Sequence, residues 1–292
     1  MLSPWREMSW TDNTRDDLRE RFLSHVVAGE CVSSARVLLL GPTGAGKSSF
    51  INSIRSVMFK RITHMTLTGP QASNRFKKLR SCSIRSERGG NAISLTLCDV
   101  MALGEKHEAG LSNSDALSVI KGHVSEGYKF SEYWSITSET RGYKGAPAIS
   151  DKIHAVLFVL DARKVSSYSS HLQRNMRELQ AEISDLDVPQ LVLLTHVDQV
   201  CHAVQEDVQF VYRSRPVKDK MHQAAQFLDM PVSYVLPVKN YASELSTSCS
   251  TDILLLSAVD TVLQAIDDTL DYQCTNTSTA TGDNNITNSV FC

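Results

Sequence analysis

Gly41-Pro42-Thr43-Gly44-Ala45-Gly46-Lys47-Ser48 fits the pattern G-x-x-x-x-G-K-[ST] at every fixed position. Glycines let a backbone curl until successive N–H groups point inward and form a nest for an anion. A helix that follows adds its positive dipole end and its unpaired amides. Lys47 would bring a full charge to the β- and γ-phosphates, and the Ser48 hydroxyl is the hard oxygen ligand that Mg²⁺ takes. The residues expected against a nucleoside di- or triphosphate are therefore Gly41, Thr43, Gly44, Ala45, Gly46, Lys47, Ser48 and Ser49.

Three downstream segments stand in the order that a guanine-nucleotide site needs. The first is Leu97-Cys98-Asp99-Val100-Met101-Ala102-Leu103-Gly104. An aspartate ending a strand beside the phosphate loop can hold Mg²⁺ through water, so Ser48 and Asp99 are the predicted metal residues. GTPases usually carry Asp-x-x-Gly here; Ala102 keeps the N–H, but its Cβ restricts the backbone. Leu103 stands where many GTPases carry a glutamine that orients the attacking water. Leucine cannot hold water, so hydrolysis is expected to be slow or to depend on a partner.

The second segment is Thr195-His196-Val197-Asp198. It matches [NT]-K-x-D except for His196, whose ring could lie along a base without a fixed charge. Asp198 would accept from guanine N1–H and the N2 amino group, a pattern that adenine does not offer. The third is Val238-Lys239-Asn240-Tyr241-Ala242-Ser243, where Asn240 is the candidate to meet the guanine O6 through its backbone N–H. Thr63, Thr66, Thr68 and Ser73 are all candidates for the Mg²⁺ ligand of the first switch. Asp161 is a rival carboxylate, placed by its distance along the chain in a structural role. The expected ligands are thus GTP or GDP with Mg²⁺. A nucleotide-using enzyme for ATP, such as a kinase, remains an alternative, as does a scaffold with a degenerate site.

These residues need a strand before the loop and a helix after it. Arg36–Leu40 supplies the apolar strand, and Phe50, Ile51, Ile54 and Met58 recur at helical spacing behind Ser49. Residues 59–79 read as irregular. Ser81–Arg85 and Ile93–Leu97 read as a hairpin around Glu87-Arg88-Gly89-Gly90. Further strands are expected at Ala155–Leu160, Leu191–Leu194 and Ser233–Val238. Helices are expected at Asp12–Val27, Asp115–Val124, Ser170–Ser184, Lys218–Leu228 and Leu254–Leu270. This alternation predicts an α/β fold: a three-layer P-loop NTPase domain of GTPase type with a mostly parallel central sheet. We divide the chain into a lead-in segment (1–34), the domain (35–272) and a Thr/Asn/Ser-rich tail (273–292) expected to be disordered. Two matches to the glycosylation pattern, at Asn276 and Asn285, fall in that tail and read as chance.

Composition narrows the classes. The 292 residues are 42% hydrophobic and 21% charged, with a net charge of −2, so no global field draws the chain to nucleic acid or anionic lipid. Nine Lys or Arg between residues 55 and 88 face one Glu, but few aromatics interleave them, and nucleic acid is not the expected partner. Seven scattered cysteines without a C-x-x-C pair fit a reduced compartment. No signal peptide is read at the start, and the apolar runs Ile153–Leu160 and Ile253–Leu256 are too short to span a bilayer. Cys292 is not placed as a prenylation cysteine. The nine histidines show no zinc spacing.

The sequence also resembles the interferon-induced protein 44 family. The resemblance rests on Pro4-Trp5-Arg6-Glu7, on Leu40-Gly41-Pro42 through Lys47-Ser48-Ser49-Phe50-Ile51-Asn52-Ser53, and on Ser83-Ile84-Arg85. It continues through Leu97-Cys98-Asp99, Leu194-Thr195-His196-Val197-Asp198 and Val238-Lys239-Asn240-Tyr241-Ala242-Ser243-Glu244. Together these strings sample most of residues 4–272. The resemblance implies a GTPase-type fold, a cytoplasmic location, and interferon-linked antiviral or antiproliferative roles. An unidentified protein partner is expected besides the guanine nucleotide. Some members carry an added N-terminal domain, which this sequence is expected to lack. The family often has glycine where Ala102 stands.

Overall fold

Successive side chains of β1 (Ala35–Leu40) go to opposite faces, and both faces are apolar. Val37 and Leu39 join one buried cluster, Leu38 and Leu40 another. A strand apolar on both sides requires helices on both sides. In the computed structural model, α1 (Asp12–Ser24), α2 (Lys47–Phe59) and α7 (Cys249–Gly282) cover one face. The other is covered by α3 (Asn113–Ile120), α4 (Ser170–Ser184) and α6 (Arg215–Leu228). A short helix, α5 (His202–Glu206), follows the fifth strand. The structure describes residues 3–28, 32–64, 78–104, 110–131 and 133–282, with side chains to residue 273.

The strands are β1, β2 (Arg80–Arg85), β3 (Ala92–Asp99), β4 (Ala155–Asp161), β5 (Gln190–Thr195) and β6 (Val235–Pro237). They form one sheet in the order β2-β3-β1-β4-β5-β6. Only β2 and β3 pair antiparallel; the other pairs are parallel. The chain is therefore a three-layer α/β P-loop domain with a mostly parallel sheet. Strand order reverses at β1, which lies between β3 and β4, and such a reversal opens a crevice at the carboxyl ends of the strands. Register brings the candidate residues to that edge: Leu39 pairs with Asp99, Leu40 with Phe158, and Asp161 with Thr195.

The predicted helix over Ser170–Ser184 matches α4 end for end. Its apolar residues Leu172, Met176, Leu179 and Ile183 recur every three to four positions and are all buried. Other elements shift. The helix expected at Asp115–Val124 begins two residues earlier and stops at Ile120. The strand expected at Ser233–Val238 shrinks to Val235–Pro237, because Val232–Tyr234 is a 3-10 turn.

Helix α7 is longer than its apolar pattern and runs past residue 273. Its stretch Cys249–Gln273 is long and apolar enough to cross a membrane by composition, with 61% of that window buried inside the domain. A helix that packs on the sheet and on α1 accounts for that composition. Reading only uninterrupted apolar runs overlooked it, since Asp252 and Asp260 interrupt the pattern. On the other side of this contact, Leu18 and Phe22 of α1 are buried, the Arg21 guanidinium lies 3.3 Å from Asp260, and His25 Nε2 lies 2.8 Å from Asp267.

Candidate functional site

The phosphate loop leaves β1 at Gly41, whose φ is +154°. A Cβ there would stand 2.2 Å from the Val159 carbonyl oxygen, so only glycine lets the loop lie on β4. Gly46 caps α2 at a φ of +95°. A Cβ at Gly46 would press on the Asn240 amide at 3.0 Å and on the Thr195 methyl at 3.3 Å. Thr43 and Gly44 form the exposed crest, Ala45 is buried, and Ser48 and Ser49 are half-buried in the first turn. No acceptor among the described residues takes the amides of Gly44, Gly46, Lys47 or Ser48. Four donors at one helix N-terminus make an anion site.

The Lys47 Nζ donates to the carbonyl oxygens of Gly41 at 2.7 Å and Pro42 at 3.0 Å. Burial pushes its ammonium down to about 8, against the pull of Asp99. The Ser48 hydroxyl donates to Asp99 Oδ2 at 2.6 Å. Asp99 is 3% exposed, and its Oδ1 is buried with no hydrogen-bond partner. Burial pushes its carboxyl up, while Lys47 and Ser48 oppose that shift. A buried carboxylate oxygen without a donor calls for a cation or a bound water. The pair Ser48 and Asp99 thus fits a hard divalent ion, with Lys47 close by for the phosphate oxygens.

The base end is tied to this loop. The Thr195 hydroxyl, fully buried at the end of β5, donates to the Ala45 carbonyl at 2.7 Å. With its one proton committed there, it accepts from His196 Nδ1 at 2.9 Å. His196 adopts a left-handed φ of +56° and starts the 3-10 turn Val197–Gln199. Burial pushes its imidazole down, with Asp161 opposing. Asp198 is half-buried, and its carboxylate takes no hydrogen bond or ion pair among the described residues. Asn240 donates from Nδ2 to the Gly46 carbonyl at 3.2 Å, and its Oδ1 is buried without a donor.

Asp161 and Thr63 are committed to other partners, although Asp161 lies 3.5 Å from the His196 Nδ1. Burial pushes the Asp161 carboxyl up, yet Arg163 and then His196 hold it below the usual carboxylate range. Arg163 reaches both its oxygens, at 3.0 Å and 2.6 Å, and extends Nη1 to Gln199 at 2.6 Å. Thr63 is buried against the later turns of α2, its hydroxyl donating to the Asn52 carbonyl and its amide donating to the Ser56 hydroxyl oxygen. It therefore lies away from Ser48, the helix's second residue. Thr66, Thr68 and Ser73 fall outside the described residues.

Sequence reasoning missed Arg163, whose only signal is its place two residues past a strand-end aspartate, and the pairing of the segment that follows Asp99. The Leu103 amide donates to the Gly41 carbonyl at 3.1 Å, and its side chain is 3% exposed. Of the basic stretch, Arg55 lies over the Phe59 ring at 5.4 Å and Arg85 donates to the Gly90 carbonyl, while Arg75 and Lys77 fall outside the described residues. No group of three His, Cys, Asp or Glu that could hold a metal occurs among the described residues.

No family model matches the sequence. Interferon-induced protein 44 of Homo sapiens is 34% identical over 266 residues, covering 91% of this chain and 60% of the relative. Interferon-induced protein 44-like of Homo sapiens is 31% identical over 242 residues, covering 83% of this chain and 54% of the relative. The chain thus spans little more than half the length of these curated relatives. Among solved structures, a dimerization-deficient mutant of Toc33 from Arabidopsis thaliana aligns with a TM-score of 0.49 at 17% identity, covering 88% of this chain and 93% of that one.

Proposed function

Over most of its length this chain is homologous to the interferon-induced protein 44 family, and on that premise we propose that it binds guanine nucleotide in the interferon response. The observation that carries the nucleotide reading is the set of unclaimed amides at Gly44, Gly46, Lys47 and Ser48 beside a buried ammonium. That cradle matches a polyphosphate in charge and donor count. Mg²⁺, when bound, would neutralise charge on the β- and γ-phosphates, with Ser48 and Asp99 as its residues. Asp198 reads the purine: a half-buried carboxylate with no competing donor can accept from guanine N1–H and N2. His196 lies beside the base, and the Asn240 loop faces O6.

Hydrolysis is slow or partner-dependent in this reading. The support is Leu103, which is packed in the core and holds the Gly41 carbonyl through its amide. A side chain there cannot orient water, so a protein partner would have to supply that group. A cytoplasmic location and an antiviral role belong to the same proposal, supported by the resemblance to that family. A second reading, an immune scaffold whose nucleotide site no longer turns over, is favoured by Leu103 and by Ala102, which stands where a switch glycine is usual.

The test is to identify the nucleotide that copurifies, then titrate GTP, GDP and ATP by calorimetry with and without Mg²⁺. The expected result is GTP and GDP binding, strengthened by Mg²⁺, with ATP at least tenfold weaker. Folded protein that binds no guanine nucleotide overturns the proposal.

A further inference from the structure

The residue after Asn240 is built into the molecule more firmly than its position in a surface loop requires. Tyr241 is 7% exposed. Its backbone N–H donates to the fully buried Ser53 hydroxyl at 2.9 Å, on the helix that carries Lys47 and Ser48. Its phenol donates to Asp252 Oδ1 at 2.7 Å and accepts from the Ser248 amide at 2.8 Å. Ser248 caps the first turn of α7, its hydroxyl taking the Thr251 amide at 3.3 Å and its carbonyl the Asp252 amide at 2.9 Å. One tyrosine therefore pins the loop to α2 by its main chain and to α7 by its hydroxyl.

The rest of the loop closes around it. Glu244 accepts from the amides of Ala242 at 2.7 Å and Ser243 at 3.1 Å, and its other oxygen lies 3.4 Å from Lys239. With both neighbours fixed, Asn240 is left to reach Gly46. A group that must meet one atom of a ligand gains affinity when its loop is ordered beforehand, because the ordering cost is not charged to binding.

We propose that Tyr241, through its hydroxyl bonds to Asp252 and Ser248, is a positioning residue that presents the Asn240 loop to the six-position of the purine. This rests on the guanine-nucleotide reading and adds the group that tunes it. Asp252 acts as the acceptor for the phenol, so an amide in its place serves as well.

The experiment compares GTP with 6-thioguanosine triphosphate, which replaces O6 by sulfur, a much weaker acceptor, and keeps the N1–H, the N2 amino group, the ribose and the triphosphate. Both are titrated into wild type, Tyr241→Phe, Asp252→Ala and Asp252→Asn, each checked by thermal melting. Tyr241→Phe and Asp252→Ala should each lose about tenfold in GTP affinity, or ~1.4 kcal/mol, and change less than twofold for the analogue. Asp252→Asn should stay within twofold of wild type for both ligands. Equal loss for both ligands in both variants means a merely structural role and overturns the inference, as does unchanged GTP affinity. Wild type that binds neither ligand overturns the guanine-nucleotide reading itself, and the inference with it.

Discussion

The Thr195 hydroxyl donates to the Ala45 carbonyl oxygen at 2.7 Å, joining residues 150 apart in sequence. A peptide unit is planar and trans, so its C=O and N–H point in opposite directions. Holding the Ala45 carbonyl toward β5 aims the Gly46 N–H the other way. Asn240, bonded to the Gly46 carbonyl at 3.2 Å, does the same for the Lys47 N–H. The purine-reading segments thus set the direction of two amides in the phosphate cradle.

Thr195→Val keeps the shape and removes the donor. A buried carbonyl left without its partner costs about 1–3 kcal/mol, and each kcal/mol lowers the Tm of a domain this size by about 2–4 °C. GTP and GDP affinities should fall together, by about tenfold, since the amides touch phosphates common to both. Calorimetric titration beside a melt reads both effects. Loss confined to GTP would show that Thr195 does not act through the cradle amides.

Asp198→Asn tests the base reading. Two charge-assisted hydrogen bonds at about 1.5–3 kcal/mol each make a loss of at least a hundredfold in GTP affinity the expected outcome. Xanthosine triphosphate, whose extra carbonyl suits an amide donor, should bind the variant better than wild type. Competition with a labelled nucleotide checks it, and unchanged GTP affinity would remove Asp198 from the base site.

The parts of this molecule legible in sequence are those set by local pattern. Strands buried on both faces write apolar runs such as Val37 to Leu40, and α4 writes its stripe from Leu172 to Ile183. The phosphate loop is legible because its backbone chemistry demands particular residues at fixed spacing. Residues 110–131 and 133–150 hold little periodic signal beyond α3, because long-range ties organise them: Asp115 Oδ1 takes the Ile136 amide at 2.7 Å, and the Leu79 amide reaches the Tyr128 carbonyl at 2.9 Å. The same limit applies in the site. Thr195 and Asn240 could be picked from their motifs, yet their grip on loop carbonyls exists only once β5 and β6 join the sheet that holds β1 and β4. Thr63 has the hydroxyl that a switch ligand needs, and only tertiary burial shows it spent on Asn52 and Ser56.

Leu103→Gln is expected to leave GTP turnover no faster than wild type. The side chain belongs to the apolar cluster that holds Leu38, Leu40 and Val100, so a glutamine would enter the core without partners. Burying an unsatisfied amide costs about 1–3 kcal/mol, seen as a lower urea midpoint. Phosphate release under single-turnover conditions reads the chemistry. Faster hydrolysis in the variant would show that position 103 can reach the attacking water.

Two buried groups make opposite demands on pH. Burial pushes the Asp252 carboxyl up from 3.8 to about 6. Between those values the folded state holds the proton more tightly than the unfolded chain, so this group's contribution falls as pH rises from about 4 to 6. Burial pushes the His154 imidazole down from 6.5 to about 4, and its Nδ1 accepts the Arg36 amide at 2.9 Å. There the unfolded chain binds the proton more tightly, so stability rises as pH climbs from about 4 to 6.5 and is lost on the way down. Each shift is worth on the order of 3 kcal/mol at most, and in wild type the two slopes oppose each other. Asp252→Asn removes the first and leaves the second. The variant should melt several degrees above wild type at pH 7.5, with the gap closing toward pH 4, as calorimetric melts across that range would register. A gap that stays constant with pH would mean that Asp252 does not titrate in this window.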